Sequence, residues 1–350
     1  MGVTQRLDAF QRRHGWAGFP VAVVYKFVED QGPYLAALMT YYGFLSLFPL
    51  LLLLTSVLGF VLQGDPELLG RVVDSTLRQF PVIGDQLVDP QGLQGNAVAL
   101  VVGGLIALYG ALGVAQAMQN AMNVTWAIPR NRRPNPLRVR LRSLLLVCVG
   151  GLAVMATTIL SALGSSAGDF GADLGPWSAA GATVVAFALN AGVFVLAFRI
   201  CTSWATPVRQ LLPGAIIATV VWQLLQLFGA AYVGNVVKGA TAAYGVFALV
   251  LGLLAWIFLT ACGIVLGAEI NVVRAKRLYP RSLLTPFTDN VDLTSADRAV
   301  YTDAAKAQQA KGFESVTVSF EGDGQQATAG RRARGPHTTT ATPRADDEGP

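Results

Sequence analysis

Residues Leu35–Leu62 read LAALMTYYGFLSLFPLLLLLTSVLGFVL, twenty-eight positions without a single charge. About 20 apolar residues in a helix cross the hydrocarbon core of a bilayer, and uncharged runs of 18 or more are read as spans. A soluble domain has little use for such a run, because the helix would be apolar on every side rather than along one face. The stretch therefore points to a fold that places helices in lipid, where each helix satisfies its own backbone hydrogen bonds.

Five further apolar segments follow, at about Ala97–Val124, Leu144–Leu163, Trp177–Phe198, Leu212–Val233 and Tyr244–Ala268. Only 13% of the 350 residues are charged and 53% are hydrophobic. A typical soluble domain is about 25% charged, so roughly half the expected charge is missing. The fold class that follows is all-α, a polytopic membrane protein with six transmembrane helices.

Six spans put both termini on one side, and the placement of Lys and Arg chooses the side. The N-terminal segment carries Arg6, Arg12, Arg13 and Lys26, and the loop Pro129–Arg142 carries Arg130, Arg132, Arg133, Arg138, Arg140 and Arg142. Arg199 and Arg209 lie between spans four and five, and Arg274, Lys276, Arg277 and Arg281 follow span six. These sixteen cations share one face, whereas the opposite loops hold only Arg71, Arg78 and Lys238 among seven acids. The positive-inside rule then places both termini in the cytoplasm and the chain in the cytoplasmic membrane.

The chain divides into a cytoplasmic N-terminal segment (1–34), a six-span domain (35–279) and a largely disordered cytoplasmic tail (280–350). In the first part Val21, Val24, Phe27 and Val28 recur at helical spacing, with Lys26, Glu29 and Asp30 elsewhere on the wheel. That pattern fits an amphipathic helix in the membrane interface or a surface helix packed on the bundle. No signal peptide is expected, since no small-residue cleavage site follows the first apolar run. The loop Gln63–Asn96 contains a second amphipathic stretch ending before Pro81. The tail lacks the apolar content that would offset the entropy of ordering.

Polar groups inside spans are costly and usually face the bundle interior. Gln116, Asn120 and Asn123 fall at i, i+4 and i+7 and, with Tyr109 and Gly113, form one stripe on the second span. Span one offers Tyr41 and Tyr42, span four Asn190, span five Gln223, and span six ends in Glu269 and Asn271. With alternating span direction, Tyr41, Tyr42, Asn120, Asn123, Glu269 and Asn271 share a depth near the inner face. One reading is a substrate pathway through a polar cavity open to the cytoplasm. The other is that these groups are hydrogen-bond glue between helices, with Glu269 paired to Arg274 or to headgroup water. Glycines such as Gly113, Gly150, Gly151, Gly263 and Gly267 suit close helix approach, and Pro49 interrupts the hydrogen-bond ladder of span one as a hinge.

Catalytic chemistry finds no support. His14 and His337 are the chain's two histidines, and Cys148, Cys201 and Cys262 are too far apart for a metal or redox motif. No phosphate loop or nucleophile elbow occurs, so no enzyme activity, cofactor or metal is expected. The arginine loop lacks the interleaved aromatics of a nucleic-acid site and instead suits anionic lipid headgroups. Nothing in the sequence sets an oligomeric state.

Several motifs resemble one family. They are Ala36-Ala37 with Thr40-Tyr41-Tyr42-Gly43-Phe44-Leu45-Ser46-Leu47-Phe48-Pro49-Leu50, Trp126 ahead of the arginine loop, Leu212-Pro213-Gly214-Ala215 with Trp222, and Tyr244-Gly245 with Trp256. Gly267-Ala268-Glu269 with Asn271 completes the set, and Asp30 resembles the acidic residue that precedes the first span. In this order they resemble the YihY/BrkB (virulence factor BrkB) family of inner-membrane proteins, over about residues 15–280. The resemblance implies six spans and an envelope-integrity role, with lipid or small-molecule transport as the suggested activity. Members have also carried the label ribonuclease BN, but this chain lacks the cluster of His and carboxylate ligands that a metal-dependent nuclease needs. Three readings follow: transport of a lipid or other amphiphile, a non-transporting membrane scaffold, and an ion- or proton-coupled exporter using Glu269.

Overall fold

A computed structural model describes residues 3–61, 97–169, 176–204, 206–232, 242–289 and 291–320. Among these residues the regular structure is entirely helical. In chain order the α-helices are α1 (Val3–Arg13), α2 (Gly15–Glu29), α3 (Gly32–Val61), α4 (Ala97–Thr125), α5 (Pro136–Asp169), α6 (Pro176–Cys201), α7 (Val208–Tyr232), α8 (Ala242–Lys276) and α9 (Ser295–Ala307). A 3₁₀ turn at Arg130–Arg132 stands between α4 and α5.

Four helices contain stretches long and apolar enough to cross a membrane: Val101–Thr125, Val184–Cys201, Val208–Gly229 and Val250–Lys276. The other two expected segments, Leu35–Leu62 and Leu144–Leu163, fall mainly in α3 and α5. These helices have 30 and 34 residues, about 45 and 51 Å at 1.5 Å per residue. Pro49 lies inside the continuous α3, in a part whose side chains are outside the described residues, as is the amphipathic stretch of the Gln63–Asn96 loop.

Helix pairs α3–α4 and α7–α8 form the largest interfaces, and α3–α8 joins them. Two close approaches explain the pairing. A Cβ added at Gly113 would sit 2.2 Å from the Tyr42 ring, and one at Gly214 would sit 1.9 Å from the carbonyl oxygen of Gly267. Gly263 meets Val221 in the same α7–α8 seam. Gly150 and Gly151, expected to serve close packing, have no atom within 4 Å of such a Cβ, so α5 gains no tight contact from them. The core at this end is built from small and flexible residues: Ala36, Met39, Ala117, Met118, Ala121, Met122, Ala215 and Ala268 around Phe198.

The N-terminal helices lie against this end of the bundle. Gln31 takes a left-handed conformation (φ 57°) that reverses the chain between α2 and α3. Helix α2 packs on α8 through the face opposite to the one its apolar pattern suggests. Ala22, Val23 and Lys26 are buried, whereas Val24 and Val28 are exposed.

Residues 281–289 run along α1 and α2, and Arg12 donates to the Asp292 carbonyl (3.2 Å). The Tyr25 hydroxyl donates to the Leu283 carbonyl (2.8 Å), and the Leu283 amide donates to Asp8 (3.0 Å). Helix α9 follows, opened by a capping box in which Thr294 and Asp297 satisfy each other's backbone amides. A buried ion cluster holds this segment against α2. Arg281 is fully buried, its guanidinium forked on Glu29 (2.7 and 3.0 Å) and bonded to the buried Asp297. Two carboxylates hold this guanidinium above the usual arginine range despite burial, which lowers it. Composition registers a charge-rich segment there but not that its charges neutralise one another against α2.

Candidate functional site

Chain direction alternates along the bundle, so the start of α3, the end of α4, the start of α5, the end of α6, the start of α7 and the end of α8 meet at one end. The polar bonds between helices collect there. Gln119 of α4 donates to Ser143 (2.8 Å) and to the Val139 carbonyl (3.1 Å) of α5. Asn123 accepts from Ser203 (2.6 Å), just beyond α6. The Asn271 side-chain oxygen accepts the Gly214 amide (2.8 Å), filling the place that a side chain at Gly214 would occupy. Lys276 donates to the Trp126 carbonyl (3.0 Å) and pairs with Asp303 of α9 (2.8 Å).

The most unusual group is Glu269, wholly buried in the last third of α8. Its Oε2 lies 3.5 Å from Nζ of Lys26, which reaches in from α2 and is itself 4% exposed. Lys26 also binds Asp30 one turn further along α2. Burial pulls the ammonium toward its neutral form, but Glu269 and Asp30 together outweigh it and hold Lys26 above the ordinary lysine range. Two carboxylates and one ammonium therefore share a dry junction between α2 and α8. The partner that sequence suggested for Glu269, Arg274, is exposed instead. Four residues beyond Arg274, Leu278 is buried and the chain turns toward Arg281, which draws this end of α8 over α2. Glu29, beside Asp30, belongs to the Arg281 clasp, so α2 carries two adjacent acids into two separate charge clusters.

The remaining candidates divide. Asn123 and Asn271 are buried, Asn120, Asn190 and Gln223 are half-buried, and Gln116 is exposed. Tyr41 is 62% exposed and Tyr42 is half-buried, the two rings meeting edge to face at 5.3 Å. The expected stripe on α4 is thus split: Gly113 packs against Tyr42 and Asn123 is buried, whereas Gln116 and Tyr109 are exposed, Tyr109 touching the Tyr42 ring at its edge (6.3 Å between centroids). Gln119 takes the buried place because the side of α4 that meets α5 lies one residue further round the wheel. Of the arginine loop, Arg130, Arg132, Arg138 and Arg140 are exposed. Arg133 folds back to donate to the Ile128 carbonyl (3.2 Å), and Arg142 has a buried Nη1.

Lys26 and Asp30 are the residues that sequence reasoning passed over as partners of Glu269. Their signal was present: a lone lysine among apolar positions of α2, with an acid four residues on. A cavity of about 510 Å³ is lined by Arg142, Arg199 and residues of the connection after α6, and Glu269 is not among its walls. Among the described residues no group of three or more His, Cys, Asp or Glu side chains could hold a metal ion.

Comparison with known proteins places this geometry in context. The family described as virulence factor BrkB matches residues 23–290. A UPF0761 membrane protein of Psychrobacter sp. (strain PRwf-1) is 24% identical over 80% of this chain and 53% of its own length. A putative ribonuclease-like protein, YfkH of Bacillus subtilis (strain 168), is 24% identical over 72% of this chain and 93% of its own. A UPF0761 membrane protein of Stenotrophomonas maltophilia (strain K279a) is 27% identical over 75% and 62%. The chain thus spans about half the length of the Psychrobacter relative, and most of the Bacillus one. No solved structure matches the chain significantly.

Proposed function

The chain belongs to the virulence factor BrkB family of membrane proteins, and on that premise we propose that it crosses the cytoplasmic membrane six times with both termini inside. Its role in this reading is envelope integrity, exercised by moving a lipid or other amphiphile between leaflets. The observation that carries the reading is the buried contact between Glu269 of α8 and Lys26 of α2. A buried ion pair is a poor way to gain stability, since apolar groups of similar volume hold as well or better. Ionisable groups inside a membrane bundle mark pathways and switches more often than struts. Helix α2, with Val24 and Val28 turned outward, rides in the inner interface. There the Lys26–Asp30–Glu269 cluster is a latch that closes the inner end and parts when α2 moves.

The arginine loop supplies attraction for anionic headgroups, and the chain acts without metal, cofactor or nucleic acid. The test is lipid exchange in proteoliposomes, read by quenching of a fluorescent phospholipid from the outer leaflet. The wild type should accelerate exchange and Glu269→Gln should change its rate. Exchange no faster than in empty vesicles would end the transport reading.

A second reading, a non-transporting scaffold, is favoured by the bonds Gln119–Ser143, Asn123–Ser203 and Asn271–Gly214, which use the amides as glue between helices. Under it, Glu269→Gln changes stability and no flux is seen. An ion-coupled exporter, with Glu269 as proton carrier, requires flux that responds to a pH gradient and loses that response in Glu269→Gln.

A further inference from the structure

We propose that the cavity between α5, α6 and the α6–α7 connection binds a phosphate ester or phosphate ion, with the headgroup of an anionic phospholipid as the occupant its depth favours. The inference rests on the reading of the chain as membrane-embedded, but not on transport or on orientation. The cavity, open toward the surface, has a volume of about 510 Å³, within the ~300–1,000 Å³ range of small-molecule sites. Arg142 of α5 and Arg199 in the last turn of α6 enter it, with Thr202, Ser203, Trp204 and Thr206 from the connection. No acidic side chain lines it.

The walls hold donors without acceptors. Arg142 Nη1 is buried and bonds to nothing, and so is the hydroxyl of Thr202, whose residue is only 4% exposed. Buried polar groups are almost always satisfied, and a charged donor left alone is the costliest exception. Both residues belong to the wall of the same cavity, so an acceptor with several oxygens drawn in between them satisfies both donors. A phosphate group does so, and the planar guanidinium fork of arginine matches its oxygens in pairs. Ser203 is already committed to Asn123 (2.6 Å), which fixes the wall rather than the ligand.

Depth supplies the preference for a lipid source. The cavity lies where the apolar stretch Val184–Cys201 ends and Val208–Gly229 begins, the level at which headgroups sit. Trp204, 59% exposed, stands at its rim, and tryptophan prefers that interface.

The test uses the full chain in nanodiscs, where both faces are accessible, so failure of the transport or topology reading leaves the result interpretable. Native mass spectrometry counts retained phosphatidylglycerol against a phosphatidylcholine background, and calorimetry titrates inorganic phosphate into phosphatidylcholine discs. Arg142→Gln should weaken binding about tenfold and Thr202→Val severalfold, with Arg274→Gln, exposed and outside the cavity's walls, unchanged. Each variant is first required to elute as the wild type does. Retention of phosphatidylglycerol sensitive to Arg142 and Thr202 assigns the lipid, and sensitive binding of inorganic phosphate alone assigns a soluble phosphate. Binding of neither, or equal loss in Arg274→Gln, overturns the proposal.

Discussion

Replacing Lys26 by Met is the sharpest probe of the buried charge cluster. The ammonium lies 3.5 Å from a fully buried carboxylate and also binds Asp30, whose side chain is 14% exposed. At that separation the attraction to Glu269 alone is about 5 kcal/mol for an effective dielectric of ~20. Removing one member of a buried pair typically costs about 3–5 kcal/mol, because the other charge is left without compensation. For a chain of 350 residues such a loss lowers the melting temperature by roughly 4–7 °C. Glu269→Gln should be much milder, near 1 kcal/mol, because it removes a buried charge and leaves the Lys26–Asp30 pair intact. In Lys26→Met/Glu269→Gln only Asp30, at the edge of the cluster, remains charged, so most of the loss should return. Thermal unfolding in neutral detergent, read by size-exclusion recovery, gives all four corners of the cycle. A Lys26→Met variant no worse than Glu269→Gln, or a double variant equal to the sum of the singles, would refute the reasoning.

Other consequences follow from the packing and the charges. Gly214→Ala sets a methyl 1.9 Å from the Gly267 carbonyl, so α7 and α8 must part by about 1.5 Å and stability falls by roughly 1–3 kcal/mol. Gly150→Ala, with open space around it, should be neutral or slightly stabilising in the same thermal assay. Arg281→Gln leaves Glu29 and the buried Asp297 unpaired, and trypsin should then cut at Arg298 and Lys306 several-fold faster as α9 detaches. Lys26 titrates above the ordinary lysine value, so its contribution is complete below about pH 10.4 and is lost only as pH climbs past that into its higher folded value. The difference in melting temperature between wild type and Lys26→Met should therefore stay constant from pH 7 to 10, and a decline within that range would contradict the assignment.

The helices were legible because an uncharged run of spanning length leaves few alternatives, and each of the six apolar segments lies wholly or mostly in a long helix. The crossing at Gly267 was readable as a small-residue pair with Gly263, but its partner Gly214 was not, since helix pairing is a property of three dimensions. Glu269 could be singled out from the cost of an acid in an apolar helix. Its partner could not, because Arg274 is near in sequence whereas Lys26 is near only after α2 folds back on α8. The α4 stripe failed at Gln116 for a related reason. Period identifies which residues share a face, but neighbouring helices decide which face is inside, and α5 meets α4 at Gln119. The ordered segment around Arg281 was hidden because composition counts charges without pairing them.

Site-directed labelling tests the topology on which the inner-end reading rests. With Cys148, Cys201 and Cys262 replaced by Ala, a single cysteine at Arg132 in the loop or at Asp303 in α9 is offered to a membrane-impermeant maleimide in intact cells. The account predicts no reaction at either position until the membrane is permeabilised. Labelling of either cysteine from outside intact cells would place the arginine loop and the latch on the wrong face and contradict it.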